Sequence, residues 1–233
     1  MNQKSSHLAL RLTEVTKSYQ TSRGMKVGLH PLTLDLTSGS LTALVGRSGC
    51  GKTTALNIVS GLIESTAGTV TILDQDISKM SGDALRKFRL KTLGRVFQHF
   101  DLFDELTVFE NVMLPSEFSG VPEKEARETA EVQIHALGLG DIIHERSANI
   151  SGGEKQRTAI ARAMAMKLPI LLADEPTGNL DKANAEAVGA ALVTASKAGV
   201  CVLVATHDPI VKDVCDVVID LDARNELLQH GGV

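Results

Sequence analysis

Residues 41–53, "LTALVGRSGCGKT", decide the fold. The segment opens with a compact apolar strand, and its last eight residues match the pattern G-x-x-x-x-G-K-[ST]. A helical run, "KTTALNIVSGL", follows directly. A strand, a glycine-rich turn and a helix in this order are typical of a phosphate loop, where backbone N–H groups and the helix N-terminus hold an anion. The segment therefore predicts an α/β fold that binds a nucleotide.

The side chains of this loop have separate expected roles. Lys52 should reach the β- and γ-phosphates, and the Thr53 hydroxyl should bind Mg²⁺. A plain glycine turn is the alternative, and the flanking strand and helix weigh against it. The residues expected to contact the nucleotide are Gly46, Arg47, Ser48, Gly49, Cys50, Gly51, Lys52, Thr53 and Thr54.

A second apolar strand, "ILLADE" (170–175), ends in two acids. Ligands of α/β sheets bind at the carboxyl ends of the strands. Asp174 suits the Mg²⁺ coordination sphere through water, and Glu175 is placed to orient and polarise an attacking water. A strand end with solvated acids is the alternative, and the phosphate loop makes it the weaker one.

The rest of the chain predicts the surrounding layers. "HLALRLTEV" and "LHPLTLDLT" alternate apolar and polar residues, and "GTVTILDQD" (68–76) reads as a further strand. From Gly82 to about Gly138 the pattern is helical. "PILLADEP" and "GVCVLVATHD" are near-continuous apolar strands with a helix between them, which predicts a buried parallel sheet.

The octapeptide "ISGGEKQR" (150–157) opens a strongly helix-forming stretch. The spacing of Ser151 and Glu154 predicts a capping box. Gly152 and Gly153 carry no side chains, so they leave first-turn N–H groups open to an anion.

Composition limits the function classes. The chain has 233 residues, 43% of them hydrophobic, and a net charge of −4, which argues against broad nucleic-acid binding. The first residues, "MNQKSSHLALRL", lack signal-peptide features, and the densest apolar stretch (198–205) is far shorter than the roughly 20 residues of a membrane span. Three widely spaced cysteines indicate a reduced, cytoplasmic chain.

The six phenylalanines fall within 31 residues and allow two interpretations. They could form a small aromatic core for the helical part, since aromatic side chains dominate burial. Some could instead line an exposed apolar groove for a partner protein. The residues are Phe88, Phe97, Phe100, Phe103, Phe109 and Phe118.

In order along the chain, six segments resemble motifs of the nucleotide-binding subunit of ABC transporters, and the resemblance covers nearly the whole chain. They are "GRSGCGKTT" (46–54), "VFQ" ending at Gln98, "ISGGEKQR", "ILLADEP", "GNLD" (178–181) and "ATHD" (205–208). The resemblance implies one ABC ATPase domain over 1–233, with a P-loop NTPase (RecA-like) mixed-sheet core and an N-terminal antiparallel β subdomain. Residues 1–96 and 160–233 would form that core, and about 97–159 an inserted α-helical subdomain.

The same resemblance implies a role for each matching position, with ATP and Mg²⁺ as ligands. Tyr19 would stack on adenine, and Gln98 would sense Mg²⁺ and the attacking water. His207 would contact the γ-phosphate and hold the catalytic geometry with Glu175. Asp181 would reach across a dimer. The implied catalytic residues are Glu175, His207, Gln98 and Lys52, and the implied metal ligands are Thr53, Gln98 and Asp174.

Two copies of the chain are then expected to sandwich two ATP molecules head to tail. Each site would combine the phosphate loop of one copy with the signature segment of the other. The phosphate loop already provides one anion-binding helix end in each chain. A second such helix end has a use only when it binds the nucleotide held by another copy. The signature residues are Ser151, Gly152, Gly153 and Glu154.

Departures from the family pattern are small: Ile150 replaces the usual Leu, Glu154 the usual Gln, and Thr53 the usual Ser. "ADEPTGNLD", together with a short chain that lacks a C-terminal regulatory domain, resembles the branch that serves macrolide exporters, lipoprotein release, and haem or antimicrobial-peptide efflux. The implied partner is a separate integral membrane permease that docks near Gln98 and the region Phe97–Phe118, at the cytoplasmic face of the membrane. No nucleic-acid partner is expected.

Three alternatives stay open on the sequence. A soluble ABC ATPase of DNA repair or translation usually carries a coiled-coil insertion or tandem cassettes, neither of which is present. A phosphotransferase kinase built on a phosphate loop would not need "SGG" or "GNLD". A non-enzymatic binding module is disfavoured because Lys52, Asp174, Glu175 and His207 are all intact.

Overall fold

The computed structural model describes residues 7–22, 24–97, 100–178 and 180–230. The strands are β1 Leu8–Thr21, β2 Gly24–Thr37, β3 Leu41–Val45, β4 Ala67–Ile72, β5 Gln75–Asp76, β6 Leu93–Val96, β7 Ile170–Asp174, β8 Cys201–Ala205 and β9 Val217–Asp220. The helices are α1 Lys52–Val59, α2 Gly82–Thr92, α3 Val108–Ser119, α4 Glu123–Ala136, α5 Gly152–Ala165, α6 Lys182–Lys197, α7 Pro209–Asp213 and α8 Leu221–His230.

A parallel sheet in the order β6-β7-β8-β3-β9 forms the centre of the molecule. Strands β7 and β8 are buried along their whole length. Successive side chains point to opposite faces, so Leu171 and Leu172 enter different apolar clusters. Both faces are covered, which is why these strands are apolar runs without polar alternation.

The two faces of the sheet carry different layers. One face packs against α3, α4, α5 and α6 through residues such as Val112, Ile134 and Ile160. The other packs against α1 and the antiparallel strands through residues such as Leu12 and Leu56. The parallel sheet is thus held between a helical layer and a β layer.

The antiparallel strands form a separate sheet in the order β2-β1-β4-β5. The α/β class, with an N-terminal antiparallel part, is confirmed, and parallel and antiparallel strands lie in different sheets. The single strand predicted over 68–76 is wrong in detail. Leu73 and Asp74 have φ of 46° and 63°, so they form a two-residue turn between β4 and β5, the geometry that suits a tight hairpin.

The helical stretch predicted from Gly82 to Gly138 is interrupted by β6, an edge strand of the parallel sheet. Four residues, "LGRV", are too few for a periodic pattern, and pairing with β7 is what makes them a strand. Gly94 packs closely against α5, since a Cβ there would lie 3.1 Å from the Ala163 carbonyl oxygen.

The phenylalanines, all six of them in the described part of the chain, do not form a core. Phe103 and Phe118 are 53% and 71% exposed, and the other four are half-buried. Phe88 and Phe109 pack at the edges of the two apolar clusters. Within the described ranges, no helix combines the length and the apolar character needed to cross a lipid bilayer.

Candidate active site

The loop between β3 and α1 has a backbone that only glycine accommodates at three places. Gly46, Gly49 and Gly51 have φ of 142°, 86° and 111°. A Cβ on Gly51 would lie 2.8 Å from the Gly28 carbonyl oxygen, and one on Gly46 would lie 2.7 Å from the Cys50 sulfur. The loop therefore curls tightly and leads directly into the N-terminus of α1, as the phosphate-loop pattern predicts.

The Lys52 side chain is folded into this loop. Its Nζ donates to the Gly46 carbonyl oxygen at 2.7 Å and to that of Arg47 at 3.3 Å, and it lies 3.8 Å from Glu175 Oε1. The residue is only 8% exposed. A buried ammonium with carbonyl and carboxylate partners is positioned to exchange them for phosphate oxygens.

Thr53 and Asp174 meet where α1 begins and β7 ends. The Thr53 hydroxyl donates to Asp174 Oδ1 at 3.1 Å. Asp174 is 7% exposed, and this burial raises the pKa of its carboxyl, opposed by the hydrogen bond from Thr53.

Both oxygens are of the hard type that Mg²⁺ prefers. No group of three or more His, Cys, Asp and Glu side chains among the described residues could hold a metal unaided. Thr53 and Asp174 supply two protein oxygens, and Mg²⁺ uses one or two such oxygens together with water and substrate phosphates.

Glu175 and His207 form a hydrogen-bonded pair beside Lys52. Glu175 Oε2 lies 2.8 Å from His207 Nδ1 and 3.3 Å from the His207 backbone nitrogen, which donates to it. The Glu175 side chain is 15% exposed and that of His207 is 75% exposed. Glu175 has φ of 45°, a conformation costly for a residue with a side chain, and its N–H is held by the Ala205 carbonyl at 2.8 Å. The carboxylate is thus fixed in direction, with one edge open to the cleft.

Tyr19 borders the same cleft from β1. The ring lies over Gly28, where a Cβ would come within 2.3 Å of a ring carbon, and 39% of the residue is exposed. An aromatic ring on a flat backbone surface is suited to stacking on a base.

A cleft of about 900 Å³ brings most of the predicted residues together. Lys26, Val27 and Gly28 also line it, although no sequence motif predicted them. A glycine within a strand is the one signal that could have indicated Gly28. The predicted residues that line the cleft are Tyr19, Gly46, Arg47, Ser48, Gly49, Gly51, Lys52, Thr53, Thr54, Glu175 and His207.

Cys50 and Arg47 are both predicted nucleotide contacts, and both lie near Asp222. Cys50 does not line this cleft among the described residues, and its side chain is half-buried beside Asp222. Burial raises the pKa of the Cys50 thiol, which disfavours its reactive thiolate form. Asp222 was not predicted, yet its Oδ2 accepts a hydrogen bond from the Arg47 N–H at 2.6 Å. Gln98 lies outside the described residues.

The signature segment starts α5 with the predicted capping box. The Ser151 hydroxyl accepts from the Glu154 N–H at 3.4 Å, and Glu154 Oε2 accepts from the Ser151 N–H at 2.7 Å. The Ser151 hydroxyl and N–H lower the pKa of the Glu154 carboxyl. Among the described residues of the cleft lining, neither this segment nor Asp181 appears, and both Ser151 and Gly152 are exposed. One copy of the chain therefore leaves this helix end apart from its own phosphate loop.

Comparison with known proteins places these features in a family. The model of the ABC transporter family matches residues 29–178. The lipoprotein-releasing system ATP-binding protein LolD of Anaeromyxobacter dehalogenans is 39% identical over 214 residues, which cover 91% of this chain and 90% of LolD. The macrolide export ATP-binding/permease protein MacB of Bradyrhizobium diazoefficiens is 35% identical over 91% of this chain, which spans only 32% of MacB.

A solved dimer of an ATP-binding cassette, in a post-hydrolysis state bound to ADP and Pi, has the same fold. Its TM-score is 0.83 at 34% identity, and the match covers 91% of this chain and 93% of the solved one. The comparison supports the assignment of the α/β class made above.

Replacing Asp174 by Asn should stabilise the ligand-free chain. The raised pKa means that the folded chain holds this proton more tightly than the unfolded chain, so the ionised carboxylate costs stability above the ordinary pKa of about 3.9 and costs nothing below it. We expect the melting temperature of Asp174→Asn without Mg²⁺ to rise by roughly 2–4 °C at neutral pH and by less near pH 4.

Thermal unfolding followed by circular dichroism measures this difference. Asp141→Asn, at an exposed carboxylate, is the control and should not change the melting temperature. A lower melting temperature for Asp174→Asn at neutral pH would show that burial is not the dominant effect.

Proposed function

This chain belongs to the ABC transporter family, and from that premise we propose that two copies bind ATP between them and drive a membrane permease carried by a separate chain. The chain is the ATPase component. Hydrolysis in the paired state resets the dimer. The DNA-repair or translation alternative has no support among the relatives named above, whose names describe lipoprotein release and macrolide export.

The observation that carries the proposal is the set of contacts around Glu175. Its carboxylate is held by His207 on one side and faces the Lys52 ammonium on the other, in the cleft that also contains the phosphate loop and Tyr19. A fixed carboxylate beside a phosphate-binding cation is the arrangement that phosphoryl transfer to water requires.

We assign the steps as follows. The loop N–H groups and Lys52 bind the β- and γ-phosphates, Lys52 exchanging the Gly46 carbonyl for phosphate oxygens. Glu175 orients a water and accepts its proton as the water attacks, while His207 keeps Glu175 in place. Mg²⁺, held by Thr53 and through water by Asp174, would neutralise charge that develops on the phosphates. Tyr19 stacks on the adenine. Gln98, outside the described residues, is proposed as a further Mg²⁺ ligand.

Closure needs a second copy. The capped start of α5 presents first-turn N–H groups of Gly152 and Gly153 that lack an intrahelical partner, and among the described residues this segment does not line the cleft of its own chain. In a head-to-tail pair, Ser151, Gly152 and Gly153 of one copy would meet the γ-phosphate held by the other, with Asp181 reaching across the same interface. The dimeric relative bound to ADP and Pi supports the pairing of two copies.

The division of the chain follows from the same mechanism. We propose that about 97–159 acts as the helical subdomain and that 1–96 with 160–233 forms the core. Helices α3, α4 and α5 pack on one another, and α5 continues from the signature segment onto the parallel sheet. A movement of α5 would therefore be transmitted from the bound nucleotide to the helical layer.

A groove of about 250 Å³ beside β6 is the proposed docking site of the permease. Its apolar lining includes Leu62, Leu90, Phe97, Pro115 and Met166. Four arginines line it as well, and no Asp or Glu does among the described residues. An apolar permease segment that carries an acidic side chain would match both properties. The arginines are Arg86, Arg89, Arg95 and Arg162.

Docking there would hold the chain at the cytoplasmic face of the membrane, peripheral through its permease. The relatives named for lipoprotein release and macrolide export favour the exporter branch, with a hydrophobic or amphipathic substrate such as a haem, a peptide, a macrolide or a lipoprotein. That substrate would contact the permease, since the cleft of this chain is taken by the nucleotide.

Glu175→Gln should keep ATP binding and lose hydrolysis by about 10²-fold or more, because the amide cannot accept the proton of the attacking water. The trapped complex should elute as a dimer in size-exclusion chromatography with ATP and Mg²⁺, and as a monomer with ADP. Glu186→Gln, on the exposed side of α6, is the matched control. Hydrolysis at the wild-type rate by Glu175→Gln would remove Glu175 from the mechanism.

Ser151→Arg should leave nucleotide binding to the monomer intact and abolish ATP-driven dimer closure, because a long cation would occupy the interface. Fluorescent-nucleotide binding and light scattering separate these two effects. Ser81→Arg, at the exposed N-cap of α2, is the matched control. If Ser151→Arg closes and hydrolyses like the wild type, the signature segment does not complete the partner's site.

A photo-crosslinking residue at Leu62 should capture a polytopic membrane protein in cells, because Leu62 lies in the groove and is 46% exposed. The same residue at Val132, which is 62% exposed on α4 and outside the groove, should not. Mass spectrometry of the crosslinked product identifies the protein. Equal capture from the two positions would exclude the groove as the docking site.

A further inference from the structure

The two glycines of the signature segment have different surroundings. Gly152 is exposed, and a Cβ there would meet a single atom, of the Phe100 ring, at an ordinary 3.9 Å. Gly153 is buried, and a Cβ there would come within 2.4–2.8 Å of three side-chain atoms of Asn184. A side chain at position 152 would therefore have open space, whereas the missing side chain at position 153 makes room for Asn184 of the same chain.

The Asn184 amide is held at both ends. Its Oδ1 accepts a hydrogen bond from Arg157 Nη1 at 2.5 Å, and its Nδ2 donates to Asp181 Oδ1 at 3.0 Å. The Asn184 backbone N–H donates to the same Asp181 oxygen at 2.8 Å. Because these bonds orient the amide, it cannot rotate away from a Cβ at position 153 without losing them.

The amide therefore joins two segments that are far apart in sequence. Arg157 lies one turn into α5, after the signature glycines, and Asp181 caps α6. The Arg157–Asn184 bond involves a charged donor, which places it among the stronger protein hydrogen bonds. Both segments were assigned above to the surface that meets the second copy.

We propose that Asn184 is a positioning residue for the reaction. It packs against Gly153 and, through Arg157 and Asp181, fixes the signature helix and the N-cap of α6 as one rigid surface for the partner's nucleotide. This inference rests on the proposed head-to-tail dimer. Asn184 itself does not touch the nucleotide bound by its own chain: it does not line that chain's cleft in the described structure.

Asn184→Ala tests the proposal. Without the amide, the two segments no longer hold each other, so ATP-dependent closure and kcat should fall about tenfold, while ATP affinity of the monomer stays at the wild-type value. A residue needed only for folding would instead lower the melting temperature and reduce the fraction of chains that bind ATP, together with the apparent kcat. Glu186→Ala, on the same helix and exposed, should behave like the wild type.

The decisive test is a double-mutant cycle that combines Gly153→Ala with Asn184→Ala. In the wild-type background the new methyl group meets the Asn184 amide, so we expect a loss of about tenfold or more in closure; in the Asn184→Ala background the same substitution should add little, since neighbouring sites are non-additive. An equal loss of closure in both backgrounds would overturn the proposal, because the effect of Gly153→Ala would then arise only from contact with the phosphate. Wild-type closure by Asn184→Ala would overturn it too.

Hydrogen exchange of the nucleotide-free monomer separates this inference from the proposed function. Asn184→Ala should speed amide exchange in 152–157, across the contact, and Glu186→Ala should not. Unchanged exchange in 152–157 would overturn the link between the segments. Failure of Glu175→Gln to dimerise with ATP would contradict the proposed function instead, and the exchange result would still decide whether Asn184 joins the two segments.

Discussion

The parallel register of β3, β7 and β8 is the constraint on which the site depends. Leu44 and Asp174 both pair with Ala205, so the three strands end in one row. The residues that follow each strand then emerge at the same edge, which brings the phosphate loop, Glu175 and His207 together from distant parts of the sequence. Burial of both faces stabilises that register, because a slip of one residue would exchange the side chains of the two apolar clusters.

At this edge, the buried charged side chains have polar or charged neighbours within the protein. Lys52 is shared between loop carbonyls and Glu175, and Asp174 is held by Thr53 at a cost in solvation. In the proposed mechanism, these contacts would be exchanged for phosphate oxygens and Mg²⁺, which would restore the lost solvation. The strained backbone of Glu175 fits this interpretation, since functional positions are where strain concentrates.

Short sequence patterns predicted correctly those features that depend only on neighbouring residues. The glycines of the phosphate loop and the capping box of Ser151 and Glu154 were both predicted, because a turn needing positive φ and a helix end needing a cap are decided within a few residues. Strand β6 was missed for the opposite reason: its four residues are a strand only because β7 lies beside them. The break at Leu73 and Asp74 was missed because the pair lacks the glycine that usually marks such a turn.

The sequence by itself determined the α/β class, the phosphate loop, the acids that end β7 and the cap of α5. Each of these is a short pattern whose residues act on their immediate neighbours. Only the tertiary structure decided which side chains share a cleft, that Asp222 holds the Arg47 N–H, and that Gly153 leaves room for Asn184. The last two contacts join residues 175 and 31 positions apart, and no local pattern encodes a proximity that the packing of the sheet and helices creates.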